Sequence, residues 1–321
     1  MENYTVYMEN VTIDTETTIV AITLFVFGVI STCLMIFFML LFCLGKKYKK
    51  NSFYRLVQLD LGTNIACHIN TWIAIRFQMY PGLVFIVKFI ETTIPGLLKW
   101  LKFFCIWFFH VHFWTAELLA LHRMSSILFP YSYQTFWNRF YLRIFIVIWV
   151  VSGLPKFLWT GFISEVYIVD GKLMSIVFPT TRRTAGDVAA IFSIIYIALL
   201  IATGVVNYIL LCRLPYVDIT SKASIKRMLR NTATVYALAY IGEVVWSVLN
   251  AADSHFHIFS PWFIEHNTSL LLIVSTIFTL SLPYILLAFD KNVREDVWGR
   301  CKKRVAQIRG APDVVSRSIL I

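Results

Sequence analysis

Seven stretches of this chain are long and apolar enough to cross a lipid bilayer, and no other feature restricts its fold so severely. A helix that spans the hydrocarbon needs about 20 mostly apolar residues. The windows that meet this run over residues 18–44, 56–79, 97–122, 142–163, 185–212, 232–252 and 267–289. Polar or basic separators stand between them, such as "GKKYKKNSFYR" after the first, "EVYIVDGK" and "PTTRRTAGD" after the fourth, and "RLPYVDITSKASIKRMLR" after the fifth. Composition agrees: 58% of the 321 residues are apolar or aromatic and only 15% are charged, whereas soluble domains carry about a quarter charged. Arg76, Lys88, Glu91, Lys99 and Lys102 crowd the region between the second and third windows.

Basic residues orient the spans, because cytoplasmic segments retain Lys and Arg. The segments beginning at 45, 123 and 213, with Arg143 counted in the second, hold 5, 3 and 5 basic residues. The tail from 290 holds 8, so 21 of the 29 fall on one side, while residues 1–17 and 253–266 hold none. The sequence therefore predicts an all-α integral membrane protein with a seven-transmembrane helix bundle. Its N-terminus (1–17) is extracellular, the bundle occupies 18–289, and a basic tail (290–321) is cytoplasmic. The net charge of +11 then faces membrane lipid on the inner side, and no nucleic-acid partner is expected. The first 17 residues are polar and lack a basic n-region, so no cleavable leader is expected. Asn3 and Asn10 head N-x-Thr sequons on the outer side and are glycosylation candidates, and Asn267 heads a third at a membrane boundary. The six cysteines, at 33, 43, 67, 105, 212 and 301, fall in spans or on the inner side and read as packing thiols. Cys301, in "DVWGRCKKR", is the lipidation candidate, with an unmodified tail cysteine as its alternative.

Residues four, seven or eleven apart return to one helix face, and the polar residues inside the windows follow that rule. Asp60, Asn64, Cys67 and Thr71 align in the second span, and Lys99, Phe103, His110 and Glu117 in the third. Tyr196, Thr203 and Asn207 do so in the fifth, Tyr236, Tyr240, Glu243, Ser247 and Asn250 in the sixth, and Thr268, Ser275 and Thr279 in the seventh. Ionisable groups at membrane depth cost several kcal/mol unless they face a partner or water, so Asp60, Glu117 and Glu243 are expected to point into the bundle. With Asn64, Asp60 and Glu117 form its expected polar network. Each acid alone reads equally as hydrogen-bonded packing glue or as a binding or signalling group. With alternating span direction, Lys99, Phe103, Trp107 and His110 lie near the outer mouth. Glu117 is deep, and Glu243, Trp246 and Asn250 occupy the outer half of the sixth span. A few polar groups among aromatics is what a small-molecule pocket requires, so these seven residues other than Glu117 are the ligand-binding candidates. Ordinary packing is the competing reading for each aromatic.

At the inner side, "DITSKASIKRMLR" sets Lys222, Lys226 and Arg230 on one helical face beside Arg227, a basic platform whose alternative is a flank resting on anionic lipid. Phe289, Val293, Val297 and Cys301 recur at helical spacing and predict a short amphipathic helix after the seventh span. His110 and His112, two apart on a helix, point to different sides and make a poor chelate, and His255 with His257 would need a third ligand that the sequence does not offer. No phosphate-binding glycine loop or nucleophile motif is present. The sequence predicts neither an enzyme, nor a cofactor, nor a metal site.

Several segments carry a narrower likeness: "NSFYRLVQLDLGTN" from residue 51, "WFFHVHFWTAELLALHRMSSILFPYSYQTFW" from 107, "LPKFLWTGFISEV" from 154 and "PYILLAFDKNVR" from 283. Together they are similar to nematode serpentine chemoreceptors of the gamma class, within the G-protein-coupled receptor architecture. That resemblance implies a chemosensory receptor of the plasma membrane, commonly of sensory cilia, with a small-molecule ligand and a heterotrimeric G protein as partners. Arg123 in "LHRMSS" resembles the arginine that closes the third helix of rhodopsin-like receptors and contacts the G protein. His122, however, replaces the acidic neighbour of that arginine. "SLPYILLAFD" lacks the Asn-Pro-x-x-Tyr of such receptors, and no outer cysteine pair ties the third helix to the second outer loop. Glu117 and Arg123, six residues apart, lie about 240° around the helix from one another and do not face each other. The alternative from another class is a small transporter or ligand-gated channel with Asp60, Glu117 and Glu243 as relay groups. The sequence offers neither the inverted repeats nor the broken helix pairs expected of one. A third alternative is a seven-span protein that serves in assembly or trafficking without coupling.

Overall fold

The computed structural model describes residues 4–7, 15–159, 162–170, 172–213, 240–256 and 261–308. Helix α1 spans Thr15–Leu44, and the short α2, Lys46–Lys49, turns the chain into α3, Ser52–Thr71. Asn51 caps α3 by accepting from the Phe53 amide at 3.0 Å, which satisfies one of the N–H groups a helix start leaves unpaired. The helix continues through a π-helical segment, Trp72–Arg76, into α4, Phe77–Met79. Helix α5, Val84–Thr93, then leads through Gly96 into α6, Leu97–Leu128. Gly96 has φ 82°, a left-handed conformation that glycine alone enters without steric cost. Beyond α6 follow α7 (Tyr133–Trp159), α8 (Pro179–Arg213), α9 (residues 240–256), α10 (Pro261–Leu280), α11 (Leu282–Phe289) and α12 (Lys291–Ile308).

Among the described residues, four helices are long and apolar enough to cross a membrane: α1, α6, α7 and α8. The pair α10 and α11 makes a fifth when counted as one span, bent by 46°. The bend has a chemical cause: Pro283, in the first turn of α11, has no N–H to continue the ladder. The second expected window is helical over its whole length, but its polar residues Asp60, Asn64, His68 and Asn70 lower its hydropathy, and all four are buried. The sixth is described only from residue 240. Several boundaries move outward. Helix α6 runs six residues past 122, and α7 starts nine residues before 142, so Arg139 and Arg143 ride on its first turns.

The surface is apolar where the helices face outward. Ile22, Phe25, Val29, Ile36 and Leu40 on α1, and Ile191, Ile194, Ile201 and Val205 on α8, are all exposed, while the polar stripes turn inward. Water would not tolerate that arrangement and lipid favours it. Helix α6 is the hub, packed against α3, α7 and α8. In its most apolar window 56% of the residues are buried, against 28% or less in α1, α7 and α8.

The all-helical expectation needs one amendment. A three-stranded antiparallel sheet, in the order β1-β3-β2, joins β1 (Tyr4–Tyr7) to the hairpin of β2 (Ser164–Val169) and β3 (Lys172–Val177). Val166 and Leu173 of the hairpin pack on Val84, Val87 and Leu98, so the sheet closes the end of the bundle where α6 begins. The local signal was the Asp-Gly at 170–171, a strong hairpin marker between β-branched runs, and Asp170 does adopt a positive φ of 50°. At the opposite end the predicted helix after residue 289 is present as α12. It buries Val293 among Tyr48, Leu282 and Leu286, and the Tyr48 hydroxyl donates to Asp296 Oδ2 at 2.7 Å.

Candidate functional site

The interior of the bundle is a column of polar groups on and around α6. Thr115 Oγ1 donates to Asp60 Oδ1 at 3.1 Å, joining α6 to α3. Two residues on, Glu117 Oε1 accepts from Thr203 Oγ1 at 2.5 Å, joining α6 to α8, and Asn207 Nδ2 donates to the Ala120 carbonyl at 3.2 Å. Tyr240 OH donates to the His112 carbonyl at 3.0 Å, joining α6 to α9. Asn64, Glu117 and Glu243 are buried beside these links. Among the described residues Glu117 Oε2 and Glu243 Oε2 have no hydrogen-bond partner, at a cost of about 1–3 kcal/mol per group. Phe113, Tyr196, Tyr240 and Phe278 pack against one another at the centre.

The seven ligand candidates do not converge on one point. Lys99 and His110 are eleven residues apart, about 16 Å along a helix, and each has its own partner. His110, fully buried, is hydrogen-bonded through Nδ1 to the Tyr196 hydroxyl at 3.1 Å. Phe103 packs on Trp100, Trp107 and Phe162 near the sheet. Trp107 is directed at α7: its Nε1 donates to the Trp149 carbonyl at 2.7 Å. A Cβ on Gly153 would stand 2.9 Å from that indole, so α7 carries glycine where the ring needs room. Trp246 Nε1 donates to Asn267 Oδ1 at 2.8 Å, and Asn267 Nδ2 donates to Asn250 Oδ1 at 3.0 Å, which ties α9 to α10. Glu243 is deeper on the same helix.

Lys99 reaches the sheet. Its ammonium pairs with Glu165 of β2 and lies 4.1 Å from the centre of the Phe162 ring, and Lys102 Nζ donates to Ser164 Oγ at 3.0 Å. These contacts fasten the sheet to α6. Lys99, and after it the Tyr167 hydroxyl, hold the Glu165 carboxyl below the usual glutamate range. A depressed carboxyl stabilises the docked sheet above the unfolded glutamate value of about 4.3, and that contribution is lost as pH falls through the lower folded value. Protection of the β2 and β3 amides, taken as exchange relative to the intrinsic rate at the same pH, is therefore expected to be high at pH 7 and to fall as pH drops below the unfolded glutamate value of about 4.3. Lys99→Ala should bring the lower protection to neutral pH.

Arg76 has no place in the sequence-derived site, yet it belongs to this interior. From Thr71, the last residue of the α3 stripe, five residues in an α-helix turn through about 140° off that face. A π turn closes i to i+5 instead, and the Phe77 amide does bond to the Trp72 carbonyl. Arg76 is thereby carried inward to 3% exposure, where its Nη2 donates to Thr276 Oγ1 of α10 at 2.5 Å.

At the α12 end, His122 is buried and hydrogen-bonded through Nε2 to Ser52 Oγ at 2.8 Å, with the rings of Phe53, Tyr133 and Trp137 around it. Arg123 is half-buried, its guanidinium 5.1 Å from the centre of the Phe53 ring. Lys222, Lys226, Arg227, Arg230, Asn3 and Asn10 lie outside the described residues. Cys301 is on the α12 backbone, and its side chain is likewise outside them.

A polar column inside an apolar shell, closed by a sheet at one end and a surface helix at the other, sets the class of protein to look for among known families. The family model for Srg family chemoreceptors matches residues 21–297. This chain belongs to the Srg chemoreceptor family. The Srg chain is 31% identical over 281 residues to serpentine receptor class gamma-47 of Caenorhabditis elegans, covering 87% of this chain and 89% of that one. It is 29% identical over 279 residues to serpentine receptor class gamma-53 of the same species, covering 84% and 87%. The match takes in α3 to α11, including the buried column, Arg76 and Arg123. It identifies a membrane-embedded receptor family and not an enzyme family.

Proposed function

We propose that this Srg chain is a chemosensory G-protein-coupled receptor with seven spans. It binds a small-molecule ligand in the outer half of the bundle and activates a heterotrimeric G protein at the inner end. The observation that carries this reading is the Srg match across residues 21–297, because it covers both the buried column and the Arg123 end. In this reading the N-terminus and the sheet are extracellular, the bundle spans 18–289, the tail from 290 is cytoplasmic, and the protein works in the plasma membrane of sensory cilia. Lys222, Lys226, Arg227 and Arg230 join Arg123 at the coupling face, Asn3 and Asn10 carry glycans, and Cys301 a lipid.

The links that radiate from α6 support a mechanism in which a ligand shifts the bundle between two packings. It does so by no more than its difference in affinity for them. A shift of α6 would reach α3 through Thr115 and Asp60, α8 through Thr203 and Glu117, and Arg123 two turns below. The test is nucleotide exchange by purified heterotrimer on membranes that carry the full chain, with an N-terminal tag to confirm surface display. Exchange above empty membranes is expected, and Arg123→Ala should remove it while surface display stays unchanged. Exchange that persists at full rate in the variant would strip Arg123 of its role.

A further inference from the structure

Arg76 presents a physical problem that the rest of the fold leaves unsolved. Its guanidinium is 3% exposed inside a bundle whose outer faces are apolar. Its neighbours are the Thr276 hydroxyl, which accepts one of its five N–H groups, and the Trp72 ring, whose centre lies 4.8 Å from Cζ. Among the described residues Nε has no hydrogen-bond partner and no carboxylate pairs with the guanidinium. Buried cations are ordinarily paired, since an uncompensated charge in a low-dielectric interior is strongly destabilising. A guanidinium presents a planar fork matched to a carboxylate. On its other side Trp72 lines an apolar cleft of about 280 Å³ that opens on the lipid-facing surface of α1, with Phe25, Val29 and Phe77, beside His68 and Thr32. A charged fork and an apolar wall thus share one aromatic ring.

We infer that Arg76 is the anion-binding group of this receptor's ligand site, and that its ligands are organic acids with an ionised carboxylate and a hydrocarbon body. The inference rests on the proposal that the bundle interior takes a small-molecule ligand, and it names the chemical class. The carboxylate takes the guanidinium N–H groups that no protein acceptor uses, and the hydrocarbon part lies along Trp72. Glu243, Asp60 and Glu117 do not compete for Arg76 in the unliganded bundle, since none of them is bonded to it.

The test uses the full chain in lipid nanodiscs, read by thermal unfolding, so it needs no G protein. The probes are straight-chain carboxylates from butanoate to dodecanoate, each beside its methyl ester and its primary alcohol at pH 7.4. At least one acid is expected to raise the midpoint by about 2–4 °C at saturation where its ester and alcohol do not. Arg76→Met should abolish that rise while leaving the unliganded midpoint equal or higher, because it removes an unpaired buried charge. Arg76→Lys should keep part of the rise. Equal shifts from acid and ester, no shift from any acid, or an acid-selective shift that survives in Arg76→Met would each overturn the proposal. So would a fall in the unliganded midpoint of both variants, which is what a purely structural arginine predicts. Stabilisation by esters and alcohols alone would sink the acid class and leave the ligand-binding reading intact. Failure of nucleotide exchange beside an acid-selective shift would do the reverse for coupling.

Discussion

Phe113→Ala is expected to cost the bundle about 3–5 kcal/mol, enough to remove most of the folded protein from the cell surface. Phe113 is 3% exposed, and its ring centre lies 5.2 Å from that of Tyr196, 4.9 Å from Tyr240 and 5.3 Å from Phe278. One side chain thus holds α6 against α8, α9 and α10. In a bilayer there is no hydrophobic drive to bring those helices together, and packing contacts carry the association. Truncation leaves a space bounded by three rings that are themselves tied to neighbours, so the site cannot readily collapse. Surface display of the tagged chain and the melting midpoint in nanodiscs measure the loss. Phe129→Ala, at a ring 59% exposed, is the control and should fall within about 0.5 kcal/mol of wild type.

The second large effect lies at the α12 end. His122→Ala should destabilise by about 2.5–5.5 kcal/mol, the sum of a buried hydrogen bond at about 1 kcal/mol and contacts with three rings at about 0.5–1.5 kcal/mol each. The imidazole does more than fill space. It bonds Ser52 at the start of α3 and stacks against Trp137, whose Nε1 donates to Ser125 Oγ at 2.6 Å, while Ser125 Oγ donates back to the His122 carbonyl at 2.7 Å. The junction of α3, α6 and α7 is built around it. His122→Phe keeps the ring volume, loses the bond to Ser52, and should recover more than half of the midpoint. An acid at this position would be a resting-state lock, and its removal would raise basal exchange. Here the alanine variant is expected to lower stability without raising exchange per folded receptor.

Much of this interior was legible in the sequence, because the signal was periodic. Asp60, Asn64, Cys67 and Thr71 are spaced for one α-helical face, and the helix is α-helical as far as Thr71, so they turn inward together. The same rule missed Arg76, because the period changes at Trp72 and nothing in a single sequence marks where a π turn begins. The direction of Trp107 was hidden for a different reason. Side chains four apart share a face, but whether that face meets the bundle axis or a neighbouring helix is decided by the neighbour, here by the space at Gly153. The sheet was half legible: the Asp-Gly hairpin is a local signal, while pairing Tyr4–Tyr7 with Met174–Val177 joins strands some 170 residues apart, a contact no local pattern encodes. The helix after 289 was read correctly because Phe289, Val293 and Val297 give one apolar stripe, and the structure buries its middle member.

Cys33, Cys43, Cys67 and Cys105 are free thiols, and the sheet is held to α6 by Lys99 with Glu165 and by Lys102 with Ser164. A fastening of charge and hydrogen bonds is indifferent to the redox state of its surroundings. The sheet end of the receptor should therefore assemble as well in a reducing bacterial cytosol or a cell-free extract as in a secretory pathway. Its vulnerability is ionic strength, since a partly solvated ion pair weakens as the screening length shortens from about 10 Å at 0.1 M salt to about 3 Å at 1 M. A high-salt wash would loosen that ion pair alone, because the packing of Val166 and Leu173 on Val84, Val87 and Leu98 does not depend on charge.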